Sequence, residues 1–212
     1  METKAIQCIR EGNKSVKQQL YDEGKLATAV NKWNTKYINL EWDRIFLKCR
    51  KTTSDVKLRW FQARLIHRIL PTNVYLFLCK IKESPLCTFC NAENESITHL
   101  FWECPVVAQL WKRLEKLLQE KCLTCTQLKL SEQLVIFGYE KNVIIDKAIY
   151  YIITLGKFFI YKCKLKNICP SIEGLVHYLN ICYSDEQFIS RTYLYQDIFE
   201  TKWLPYKALF SK

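Results

Sequence analysis

Along "VVAQLWKRLEKLLQEK" (106–121) the apolar positions Val107, Leu110, Trp111, Leu114, Leu117 and Leu118 recur three and four apart, the spacing that lines one face of a helix. The same period runs through 31–51, where Trp33, Tyr37 and Leu40 are followed by Trp42, Ile45 and Phe46. It predicts a helix over 52–70, with Ser54 or Asp55 as its cap and Pro71 as its stop, and another over 72–82 capped by Thr72 or Asn73. Residues 143–166 read as a long helix. Its most apolar run, "AIYYIITLG" (148–156), is followed at once by Lys157 and is too short to span a bilayer, so it reads as a buried segment. Pro170 breaks that helix, two further helical patterns follow at 171–183 and 185–200, and "WLPYKALF" forms an aromatic tail. Residues 122–131 read as a loop, and "QLVIFGYEK" (133–141) as a short strand or a turn. Residues 1–30, interrupted by Gly12 and Gly24, read as an amphipathic or loosely ordered lead-in.

Composition narrows the class to a folded, mainly α protein. Hydrophobic residues make up 49% of the 212 and there are only five glycines and five prolines, the reverse of a chain that cannot fold. The simplest architecture is a helical domain with a cysteine-rich loop inserted in it. Its expected parts are a lead-in over 1–30, basic helices with the cysteine-rich region over 31–121, and a helical region over 122–212. The polar opening "METKAIQCIREGNKSVKQQL" has no apolar signal-peptide core, so an intracellular protein of the nucleus or cytoplasm is expected, neither secreted nor in a membrane, with its cysteines as reduced thiols.

Charge adds a partner class. The net charge is +11, and residues 1–86 hold 17 Lys and Arg against 8 Asp and Glu, whereas 87–130 balance at 5 and 5. A basic excess gathered in one part of the chain attracts polyanions, with nucleic acid or an anionic membrane surface as the usual candidates and a merely solvated basic surface as the competing reading.

The chemistry concentrates in "PLCTFCNAENESITHLFWECP" (85–105), where Cys87, Cys90, His99 and Cys104 are spaced C-x2-C-x8-H-x4-C. A C-x2-C turn sets two thiolates on one side of an ion, and a polar loop returning a histidine and a third cysteine completes the four soft ligands that a structural zinc takes. Four protein ligands leave no position for water or substrate, so the expected cofactor is one structural zinc and no catalytic residue is assigned here. Three thiolates on a dication leave the centre at a formal charge of −1, so contacts to nucleic acid must come from basic groups beside it. Three buried cysteines with a core histidine is the competing reading. Cys122 and Cys125 repeat the C-x2-C spacing, but Cys163, Cys169, His177 and Cys182 are distant and irregular partners, and small buried hydrophobes describe them better than a second zinc.

At 100° per residue, "DVKLRWFQARLIHRIL" turns Leu58, Phe61, Leu65 and Ile69 to one side and Lys57, Trp60, Arg64, His67 and Arg68 to the other. With Arg59 these make the candidate nucleic-acid contacts, in which guanidinium groups meet phosphates and an exposed ring stacks on an unpaired base. A solvated face whose tryptophan packs on a neighbouring helix is the competing reading.

"LRWFQARLIHRILPTN" followed by "CTFCNAENESITHLFWECPVVAQLW" resembles the zinc-binding region near the C-terminus of reverse transcriptase polyproteins from LINE-type (non-LTR) retrotransposons. The resemblance is most specific over 58–114 and continues loosely to "IIDKAIYYIITLGKFFIYKCK". It implies a region that follows the polymerase and binds template RNA or target DNA, with the family's zinc ligands falling on Cys87, Cys90, His99 and Cys104 and the polymerase portion as a further partner. The chain lacks the aromatic-Ala-Asp-Asp polymerase signature, and its late acidic pair, Asp185-Glu186, reads as a helix start. With no endonuclease constellation either, the expectation is a non-enzymatic nucleic-acid-binding module without a small-molecule substrate. A helical protein-interaction scaffold and a truncated, non-functional element copy are the alternatives.

Overall fold

Five of the ten described α-helices begin at a side-chain oxygen that satisfies one of the amides a first turn leaves unbonded. The computed structural model describes residues 27–51, 53, 55–122 and 125–210. Asp55 Oδ1 accepts from Lys57 N at 2.7 Å to open α3 (Val56–Ile66), after α1 (Ala27–Asn34) and α2 (Trp42–Lys51). Thr72 opens α4 (Asn73–Leu78) in the same way, and α5 (Pro105–Lys121) starts with the proline that suits a first helical position. Ser131 caps α6 (Glu132–Phe137), Asp146 caps α7 (Lys147–Leu165) and Ser171 caps α8 (Ile172–Thr192). α9 (Gln196–Trp203), a 3-10 turn (Leu204–Tyr206) and α10 (Lys207–Phe210) follow. No strand occurs among the described residues, only an antiparallel bridge between Leu86 and Asn94.

The chain divides into two compact units, Met1–Trp42 and Asp43–Lys212. Of the first, residues 27–42 are described, where the rings of Trp33 and Tyr37 lie 5.9 Å apart and Trp42 Nε1 donates to Asn34 Oδ1 at 3.2 Å. In the second, α7 is the central element. Residues 148–157 are buried on every side, as befits a helix with no polar face over that run, and α3, α6, α8 and α9 pack round it. Gly156 lets α5 approach closely, because a Cβ there would meet the Trp111 ring at 2.8 Å. Gly138 ends α6 at φ 64°, a left-handed position where a side chain would also strike Tyr150. The aromatic tail folds back as a cluster: Tyr183 stacks on Phe210 at 4.2 Å, and Trp203 meets both edge-on. No described helix is long and apolar enough to cross a membrane.

Several expectations change. The 31–51 pattern is two helices separated by 35–41, where Asn39 takes φ 63°. The 133–141 stretch is neither strand nor turn, since Ser131 and Gly138 supply both ends of a helix over Glu132–Phe137. The helix expected over 72–82 stops at Leu78, with Lys80 at φ 56° just beyond it. The patterns at 171–183 and 185–200 are one continuous helix to Thr192, after which Leu194 turns the chain at φ 59°. Asp185-Glu186 is therefore mid-helix, and Glu186 is held there by Lys202 Nζ at 2.8 Å and Trp203 Nε1 at 3.0 Å. Ser54 and the lead-in up to residue 26, with Gly12 and Gly24, lie outside the described residues.

Candidate metal centre and the basic helix beside it

Residues 87–90 form a tight turn round the Cys87 sulfur. Phe89 N donates to Cys87 Sγ at 3.4 Å, Asn91 N donates to Cys87 O at 3.0 Å, and Asn91 itself takes φ 52° to leave the turn. The chain returns alongside, with Cys87 N donating to Glu93 O and Glu95 N to Pro85 O, both at 2.8 Å. Phe89 and Ile97 are buried beneath this loop.

His99 and Cys104 need a different device, because positions five apart on an α-helix point roughly 140° away from each other. Residues His99–Glu103 instead form a π turn, in which Cys104 N donates to His99 O at 2.9 Å and both side chains reach one side. Trp111 fastens this turn by donating from Nε1 to Phe101 O at 2.7 Å.

The four ligand atoms lie within 4.8 Å of one another and could hold a metal ion. Cys87 Sγ and Cys104 Sγ are 3.8 Å apart, and Cys90 Sγ is 3.4 Å from His99 Nε2. A tetrahedral zinc, bonded at about 2.3 Å to sulfur and about 2.0 Å to nitrogen, sets those edges near about 3.8 and 3.5 Å. A disulfide would bring the sulfurs to about 2.05 Å. The residues therefore fit a four-coordinate ion. Cys87 and Cys104 share hydrogen-bonding capacity: the bond between them lowers the Cys104 pKa and raises that of Cys87, burial pushing both thiols up, and the first amides of α5, at Val106 and Val107, add to the lowering at Cys104. A thiol at a helix N-terminus is already inclined to the thiolate that a metal requires.

Behind the ligands sits a carboxylate that sequence reasoning placed in a polar loop. Glu95 is fully buried. Its Oε1 accepts from Asn73 N at 2.8 Å and faces Lys164 Nζ at 3.4 Å, while Oε2 accepts from Thr88 N at 3.0 Å and Thr88 Oγ1 at 2.8 Å. Asn73 in turn donates from Nδ2 to Leu86 O at 2.6 Å. One side chain thus ties the Cys87–Cys90 turn, the start of α4 and the end of α7 together. Burial lowers the Lys164 pKa, and Glu95 opposes that shift.

α3 lies next to this centre through Phe61, whose ring meets Phe101 of the π turn at 6.0 Å and Phe158 and Tyr161 of α7 at 5.2 and 5.7 Å. Leu58 and Leu65 are buried beside it, and Gln62, not anticipated, is buried too. Lys57, Arg59, Trp60 and Arg64 are exposed. His67 and Arg68 do not join them on the helix. α3 stops at Ile66, His67 is its C-cap and stacks on Phe46 at 5.6 Å, and Arg68 takes φ 57°. Ile69, expected on the buried face, is consequently 58% exposed. Cys122 and Cys125 are buried, but among the described residues no third ligand joins them, and Cys125 Sγ faces Tyr206 Oη at 3.9 Å.

The protein is helical and carries a Cys-Cys-His-Cys group that could hold a metal ion. The family model described as zinc-binding in reverse transcriptase matches residues 27–111, a stretch that holds all four ligands and ends on Trp111. The match is to the zinc-binding region of reverse transcriptase and not to a catalytic domain. No curated protein matches the chain.

Proposed function

We propose that this protein is a non-catalytic nucleic-acid-binding module stabilised by one zinc ion, of the kind that accompanies the reverse transcriptase of a LINE-type retrotransposon. The observation that carries the reading is the position of α3: Phe61 meets Phe101 of the π turn beside the Cys-Cys-His-Cys group, while Lys57, Trp60 and Arg64, its neighbours round the same helix, are exposed to solvent. The centre supplies rigidity and no reaction, because four protein ligands fill a tetrahedral ion. The polyanion contacts belong to the basic side chains beside it, which suits a chain whose first 86 residues hold most of its excess positive charge. Template RNA or target DNA is the expected partner, within the cell, with the polymerase portion of such an element as a second.

An anisotropy titration of labelled RNA and DNA at several salt concentrations tests this. Affinity that falls steeply with salt is expected, and affinity that is absent or indifferent to salt would overturn the reading. A protein-interaction scaffold is the second reading. It is favoured by the exposed apolar side chains Phe188, Tyr193, Leu194, Ile198 and Leu204, which run from α8 to the 3-10 turn after α9. Salt-insensitive retention of a protein partner after nuclease treatment would support it.

A further inference from the structure

Trp60 is 63% exposed, although the indole is among the side chains that gain most from burial. It forms the ridge between two hollows. On one side a cavity of about 440 Å³ is lined by Lys57, Trp60, Phe61, Arg64, Phe158 and Tyr161. On the other, a cavity of about 360 Å³ is lined by Cys49, Val56, Arg59, Trp60 and Ala63. Among the described residues neither lining contains an acidic side chain, and each carries at least one cation.

We infer that the larger hollow is the seat for one unpaired base of a single-stranded nucleic acid, an inference that rests on the function proposed above and specifies its ligand. A nucleobase is a flat apolar ring with a polar edge, attached to a charged backbone. The hollow answers each part. Its wall is the exposed indole, its floor is the aromatic group of Phe61, Phe158 and Tyr161, and its rim carries Lys57 and Arg64. Those two cations stand three residues before and four residues after Trp60 on the same helix, so they reach the strand on either side of the stacked base. A protein side chain could use the apolar wall, but a rim of cations with no carboxylate selects a polyanion. A duplex keeps its base faces covered by neighbouring pairs and cannot present one to the indole without unstacking.

The test uses the zinc-loaded full chain with labelled oligonucleotides of one length: oligo-dT, oligo-U and a DNA duplex. Single strands are expected to bind more tightly than the duplex. Trp60→Ala is expected to weaken single-strand binding about 5- to 150-fold, the loss typical of one stacked base, with the salt dependence unchanged, while Trp60→Phe keeps most of the affinity. Lys57→Gln with Arg64→Gln is expected to reduce the salt slope by roughly 1.4, the contribution of two phosphates on a single strand. The oligo-dT and oligo-U arms show which strand uses the seat, by which of them carries the Trp60-dependent loss. If Trp60→Ala binds single strands like the parent while the charge variant still weakens binding, the seat is wrong and the basic surface stands. If neither variant changes anything because the parent shows no salt-sensitive binding, the functional reading itself fails. Trp60 is exposed, so retained zinc content and helicity will separate lost binding from lost folding.

Discussion

Lys157 illustrates how much one residue can cost and still be retained. It is fully buried, and its Nζ donates to Gln62 Oε1 at 2.7 Å and Ile136 O at 3.2 Å, joining α7 to α3 and α6. Burial pushes its pKa down to about 7, with the Cys49 thiol opposing weakly. Unfolded, the same group titrates near about 10.4. Between those values the unfolded chain holds the extra proton, so folding stability rises as pH increases from about 7 towards 10 and is level below 7. At about 1.4 kcal/mol per unit the total is of the order of a few kcal/mol. Lys157→Met is expected to flatten this rise, and thermal denaturation of both proteins across that window checks it, the difference between them isolating Lys157. Cys90→Ser is expected to lose the metal, read by elemental analysis as zinc falling from one per chain to a small fraction. Retention of a full equivalent would contradict the ligand assignment. That Cys87, Cys90, His99 and Cys104 come together was legible because their spacing suits the geometry of one tetrahedral ion. Lys157 was not, since a lysine argues for an exposed position and only the packing of three elements shows it buried.

At the scale of elements, Glu95 has the largest expected effect. Glu95→Gln removes the charge facing buried Lys164 and puts an amide NH2 where a carboxylate oxygen now accepts from Thr88 N or Asn73 N. Breaking a buried pair on one side costs about 3–5 kcal/mol. The double variant Glu95→Gln, Lys164→Met is expected to recover part of that, because no unpaired charge is left. Urea denaturation at saturating zinc checks both, and an unchanged midpoint for Glu95→Gln would rule out the tie. Nothing in "NAENESIT" distinguishes Glu95 from Glu93, since both sit in a polar run and only the fold turns one inward. The helices themselves were largely readable from periodicity and from Asp55 and Thr72. Their ends were less so: the C-termini at Ile66 and Leu78 fall at ordinary residues, where no glycine or proline marks the stop, and Arg68 and Lys80 adopt positive φ beyond them. The short helix Glu132–Phe137 is buried over Leu134–Phe137, and a run that apolar carries no period to tell helix from strand.

For the molecule as a whole, the arrangement of contacts predicts an uneven response to metal removal. The π turn joins the rest of the protein through Phe101, which meets Phe61 of α3, and through the bond from Trp111 of α5 to the Phe101 carbonyl. Glu95 extends the same connection to the start of α4 and the end of α7. Without an ion, three thiols and an imidazole are left to hold a loop whose other ties are its backbone bonds and the Glu95 network, and metal affinity is no longer available to stabilise the folded form. The C-terminal cluster of Tyr183, Trp203 and Phe210 is built from α8, α9 and α10 and draws no member from the metal region. Chelation is therefore expected to speed hydrogen exchange first in 85–105, then in α3 at 56–66, while amides of 196–210 keep their protection. If the proposed function holds, loss of protection in α3 runs in parallel with loss of nucleic-acid affinity, since Lys57, Trp60 and Arg64 are carried by the helix that Phe61 rests against the π turn. Hydrogen exchange followed by mass spectrometry, on zinc-loaded and chelated protein, reads both regions in one experiment. Uniform loss across the chain would mean that the metal stabilises the entire fold as one cooperative unit. Loss confined to 85–105 would mean that Phe101 and Trp111 do not transmit the order of the clasp to the helix beside it.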